Sequence, residues 1–167
     1  SSLQVPGCPR PRPTAPAQEP SSAPPPSSRE RLLASASSLF STLGYSHVSL
    51  DQVLRDSGVV RSNFYYHFRG KEDLALAVID LWLERLQQSV LGPVESAVGL
   101  SPLARAEHLL HALIEDLESQ GCRGGCPFGT MANSESEHNE RFRSKLTAIF
   151  EGFLEHLTGL FAAARDA

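Results

Sequence analysis

GYSHVSLDQVLRDSGVVRSNFYYHFRGKEDL, residues 44–74, is the stretch whose reading decides the fold. Gly44 suits the left-handed position that ends a helix. Ser49, with Gln52 three residues on, has the pattern of a capping box opening a short helix over Leu50–Ser57. Gly58 breaks that helix and permits a sharp turn. A second short helix is expected over residues 61–68, RSNFYYHF, and Gly70 interrupts again before a long helix opens at Lys71. Glu72 and Asp73 stand in its first turn, where the helix dipole favours anions. Bracing helix, glycine turn, second short helix: this is the layout of a helix-turn-helix, in which the second helix enters the major groove of DNA.

The residue types suit that task. Arg61 can donate two hydrogen bonds to the acceptor edge of guanine. Ser62 and Asn63 are short polar groups able to approach bases or phosphates. Tyr65, Tyr66 and His67 can hydrogen-bond phosphate oxygens, and their rings can pack on sugars or a thymine methyl. Lys71 adds a charge beside a helix N-terminus. Against this stands simple packing: Phe64 and Phe68, four apart, are core candidates, and Tyr65 and Tyr66 cannot both share their face.

Outward from this segment the chain is helical. Upstream, Ser27 and Glu30 fit another capping box, and Leu32, Leu33, Ala36, Leu39, Phe40 and Leu43 follow at helical spacing. Residues 1–28 are rich in proline, serine and alanine, without apolar periodicity, and read as a disordered tail. Downstream, Leu74, Val78, Leu81, Trp82 and Leu86 make the buried stripe of the long helix, which fades near Gly92-Pro93. Ser101-Pro102 is a helix start, with Leu103, Ala106, Leu109, Leu110 and Leu113 on an apolar face. CRGGCPFG at 122–129 is a glycine-rich break, and short and long helices are expected over residues 128–134 and from Glu140 onward. No credible strand emerges. The expected fold is all-α, with a tail at 1–28, a three-helix DNA-binding domain at 29–73 and a helical ligand-binding and dimerisation domain at 74–167.

Composition bounds the function. The chain of 167 residues has net charge −4, so bulk charge argues nothing for nucleic acid. The acidity lies beyond residue 92, where 11 acidic residues face 6 basic ones, leaving the 29–92 region neutral. With three cysteines, no apolar span and no basic-then-apolar leader, a cytoplasmic protein without a membrane partner is expected. No nucleophile–base pair, phosphate-cradling loop or strong metal motif speaks for an enzyme, a cofactor or a metal.

The segment at 44–74 resembles the DNA-binding signature of the TetR family of bacterial transcriptional regulators in length, glycine placement and aromatic placement. Its most specific part is the run through Tyr65, Tyr66, His67 and Phe68 to Gly70 and Lys71. The resemblance implies base contacts at Arg61, Ser62 and Tyr66, phosphate contacts at Tyr65, His67 and Lys71, and Ser49 capping the bracing helix near a phosphate. Val60 stands where the family often has a capping serine, and Asn63 where it often has threonine or a smaller residue. More weakly, GCPFGTMANSESEHNERFRSKLTAIFEGFLEHL is similar to the ligand domain of a large subgroup, extending the likeness over about residues 29–165. It implies a repressor that binds a double-stranded DNA operator as a homodimer and leaves it when a small-molecule inducer binds. Family members continue for two further helices, lacking here, that form the dimer bundle.

In the second half, Trp82, Phe128, Met131, Phe150 and Phe153 are candidates to line the ligand pocket, with simple core packing as the alternative. Cys122 and Cys126 form a candidate redox pair, and His108 and His111, three apart, could share a metal with them. The competing overall reading is a truncated helical interaction module without specific DNA binding.

Overall fold

The computed structural model describes residues 24–119, 125–135 and 139–166, and among these every regular element is helical. Helix α1 spans Ser28–Leu43, α2 Leu50–Ser57, α3 Arg61–His67 and α4 Lys71–Leu86; α5 spans Gly92–Ser96, α6 Pro102–Ser119, α7 Pro127–Glu135 and α8 Glu140–Arg165. The tail expected at 1–28 lies, up to residue 23, outside the described residues, and Ser28 already belongs to α1.

Local chemistry accounts for the boundaries. The Ser27 N–H donates to Glu30 Oε2 at 2.6 Å and the Glu30 N–H to Ser27 Oγ at 3.2 Å, closing the first capping box. The Ser27 backbone N–H foremost, and then the Ser27 side chain, hold the Glu30 carboxyl below its ordinary pKa. Ser49 and Gln52 repeat the arrangement at α2, with 2.7 Å and 3.2 Å bonds. Gly58, at φ 63° and ψ 24°, takes the left-handed conformation that ends α2 and turns the chain into α3. The Ser101 hydroxyl accepts from the Ala104 N–H at 3.2 Å, as its place before Pro102 predicts.

One boundary differs from expectation. The chain does not leave helical geometry at Gly92-Pro93: α4 passes through a π-helical turn, Gln87–Leu91, directly into α5. Pro93 has no N–H to donate, and its ring would crowd the carbonyl four residues back in an α-helix. The wider turn relieves both, with the Gly92 N–H donating to the Gln87 carbonyl five residues back. Glycine is required there, because a Cβ at residue 92 would lie 2.9 Å from that carbonyl oxygen.

The main core joins Leu32, Phe40, Val53, Phe64, Leu74 and Val78 to Met131, Phe142 and Leu146. The expected domain boundary at 73/74 therefore falls inside α4, whose first turns sit in the same apolar interior as the helix-turn-helix and the start of α8. The buried polar groups Ser35 and Ser37 are partnered: Ser35 Oγ donates to the Val53 carbonyl at 3.4 Å, and the Trp82 indole donates to Ser37 Oγ at 2.7 Å. A second cluster, Val90, Val94 and Leu109 with Leu113 and Leu157, packs α4–α5 against α6 and α8.

Candidate nucleic-acid interface and regulatory cleft

Helix α3 has two faces. Phe64 and Phe68 point inward, 0% and 5% exposed, with their rings 5.8 Å apart. Packing thus explains these two aromatics and leaves the tyrosines unexplained. Tyr66 is 84% exposed and Tyr65 54%, an unusual cost unless the rings meet a partner. The Tyr65 ring stands edge-on to Phe64 at 5.2 Å, and Tyr66 edge-on to the half-buried His67 at 5.0 Å. Arg61 and Ser62 are exposed at the start of the same helix. Val60, which precedes them, makes no side-chain cap, as expected from its lack of a hydroxyl.

Arg61 is paired with Asp51 of α2, and both side chains are more than half exposed. Such a pair contributes only about 0–1 kcal/mol, so the guanidinium can exchange the carboxylate for a base edge or phosphate at little cost. Ser49 is exposed at the start of α2 with its hydroxyl already accepting the Gln52 N–H.

Two residues stand differently from the rest. Asn63 is half-buried, and its amide nitrogen donates to Ser28 Oγ at 2.8 Å. It braces α3 against the start of α1 and does not join the exposed face. The Lys71 ammonium donates to the Tyr45 carbonyl at 2.6 Å and lies 3.9 Å from the centre of the Tyr45 ring. The charge sits at the beginning of α4, beside the end of α3, held in place before any ligand arrives. Tyr45 had no place among the sequence candidates. Its partner lies 26 residues away, beyond any local pattern.

A cleft of about 1390 Å³ opens behind the helix-turn-helix between α1, α4, α6, α7 and α8. Trp82, Phe128, Phe150 and Phe153 line it, as does the exposed thiol Cys126. The Trp82 and Phe128 rings meet edge to face at 6.1 Å. Met131, expected with them, is only 2% exposed and lies in the core, not on the cleft wall. Cys122, the other half of the candidate redox pair, lies outside the described residues. His108 and His111 are both exposed on α6, and the described residues bring no three metal-ligating side chains together. No helix among them is long and apolar enough to cross a membrane.

Comparison with known proteins agrees with this arrangement. Residues 32–78 match the family model of bacterial regulatory proteins of the tetR family, and residues 102–165 match that of the LmrA/YxaF-like transcriptional regulator C-terminal domain. The transcriptional regulator AcuR of Cereibacter sphaeroides is 31% identical over 126 residues, 73% of this chain and 55% of that protein. The HTH-type transcriptional regulator LmrA of Bacillus subtilis is 31% identical over 121 residues, 70% of this chain and 61% of that protein. In structure, the TetR-family regulator SCO4454 of Streptomyces coelicolor superposes with a TM-score of 0.74 at 26% identity, covering 81% of this chain and 66% of that one. The chain belongs to the TetR family of helix-turn-helix transcriptional regulators. It spans between 55% and 61% of the length of AcuR and LmrA.

Proposed function

We propose that this chain is a sequence-specific repressor that binds its operator through α3 as a homodimer and is released by a small molecule held in the cleft. The observation that carries the reading is the outward pair Tyr65 and Tyr66 beside Arg61, on a helix whose packing needs only Phe64 and Phe68. Arg61, Ser62 and Tyr66 read base edges; Tyr65, His67 and Lys71 contact phosphates, with Ser49 near the backbone at the start of α2. The cleft supports the second half of the reading, since its wall includes α4, the helix that follows the recognition helix. A ligand acts by favouring the conformer that does not fit DNA, and the same coupling makes DNA lower the ligand's affinity.

The test is fluorescence anisotropy with DNA from around the protein's own gene, at two salt concentrations and against a scrambled competitor. Specific binding that weakens steeply with salt is expected. Arg61→Ala should lose about 1–3 kcal/mol and relax the preference at one base position, whereas Lys71→Ala should weaken all sequences alike. A folded protein with no preference for any duplex would favour the helical interaction module instead. One observation speaks for that second reading: Leu103, Leu110 and Ile114 of α6 and Leu154 and Phe161 of α8 are all about half exposed or more.

A further inference from the structure

Tyr45 stands where three elements meet. Gly44, at φ 82°, ends α1 and throws the chain into a single 3₁₀ turn, Tyr45–His47. That turn points the Tyr45 ring back into the fold. Phe40 of α1 meets it edge-on at 5.4 Å, and Phe142 of α8 meets it edge-on at 5.0 Å. Both of these rings are fully buried, so they fix the tyrosine from two directions. The Tyr45 ring and carbonyl together hold the Lys71 ammonium, at 3.9 Å and 2.6 Å.

A lysine side chain has four rotatable bonds and loses rotamer entropy when its ammonium is confined. Ordering it beforehand removes that cost from the binding step. The attraction of a cation to a ring face and a hydrogen bond to a carbonyl are both suited to doing so without neutralising the charge.

We infer that Tyr45 is a positioning residue for DNA binding: it presents the Lys71 ammonium to a backbone phosphate, and Phe142 of α8 keeps it in that position. The inference rests on the phosphate role given to Lys71 above. It also links the interface to the cleft. Helix α8 is tied to α4 by Arg141 to Glu72 at 2.7 Å and by Lys145 to Asp80 at 2.5 Å. Further along, the same helix presents Ile149, Phe150 and Phe153 to the cleft. An occupant that displaces α8 moves Phe142, and with it the brace on Tyr45 and Lys71.

Phosphate recognition is independent of base sequence, so the test needs no operator. Binding of a labelled duplex of arbitrary sequence is measured by anisotropy across a salt series. Lys71→Met should reduce the slope of log affinity against log salt by about 0.9 for each phosphate that the lysine neutralises. Tyr45→Leu, which keeps the lysine charge, should weaken binding at each salt concentration by no more than Lys71→Met does, and should add nothing in the Lys71→Met background. Tyr45→Phe, which keeps ring and carbonyl, should restore the wild-type affinity. Circular dichroism establishes that each variant is folded. Phe142→Leu, which alters neither Tyr45 nor Lys71 themselves, should give an intermediate affinity and decides the matter if Tyr45→Leu does not fold. Wild-type affinity in folded Tyr45→Leu or in Phe142→Leu, or additive losses of affinity in the double variant, would overturn the positioning role alone. Wild-type protein without salt-sensitive duplex binding would overturn the DNA-binding reading and this inference with it.

Discussion

Phe64 in α3 and Phe150 in α8 both lie on periodic apolar stripes, yet one is 0% exposed and the other 39%. Around Phe64, helices α1, α3 and α4 close on one another, and α7 and α8 seal the same interior from behind. Around Phe150, residues of α4, α6, α7 and α8 line a cleft that their side chains do not fill. The difference teaches that periodicity identifies which face of a helix is apolar and not what covers it. In the first region the cover is neighbouring helices. In the second it is left to whatever occupies the cleft.

That contrast can be broken most sharply at these two residues. Phe64→Ala should destabilise the protein by about 3–5 kcal/mol, read from urea denaturation, because a closed core cannot collapse onto the cavity. Phe150→Ala should cost less than about 1 kcal/mol, since much of its ring already meets water. Equal destabilisation would mean that the cleft is as tightly closed as the core.

The junction between the regions offers a middle-sized test. Gly92→Ala places a methyl group against the Gln87 carbonyl and should lower stability by about 1–3 kcal/mol in thermal unfolding. An unchanged midpoint would show that the π turn rearranges freely to accommodate it.

The smallest expected effect sharpens the picture of the recognition helix. Val60 already has cap-like backbone angles, φ −73° and ψ 150°, and is 66% exposed, so it lacks only the hydroxyl. Val60→Ser should add roughly 0.5–1 kcal/mol, and Ser49→Ala should remove about 1 kcal/mol from α2, both read from urea denaturation. Loss of stability in Val60→Ser would show that the valine side chain supports α3 in some way that its exposure does not reveal.

Much of this molecule is legible in its sequence. The helix starts at Ser27, Ser49 and Ser101 and the ends at Gly44 and Gly58 stand where expected, because caps and left-handed turns are settled within three or four residues of chain. Phe64 and Phe68 are separable from Tyr65 and Tyr66 for the same reason, since one turn of helix assigns them to faces. The role of Asn63 is not legible, for its partner Ser28 lies 35 residues away. Nor is the core position of Met131, which lies three residues along the same helix from Phe128 on the cleft wall.

The amino-acid sequence by itself determined the all-helical class, the helix-turn-helix and the outward residues of its second helix, because these follow from spacing and from local hydrogen bonding. Tertiary structure alone decided that Lys71 is held by Tyr45, that Phe142 of α8 backs that tyrosine, and that the chain runs helically from α4 through a wider turn into α5, past Pro93. Each of these depends on which distant surfaces meet, or on how a helix accommodates a residue that would otherwise break it. Such choices are made by packing across the whole chain, where no local pattern records them.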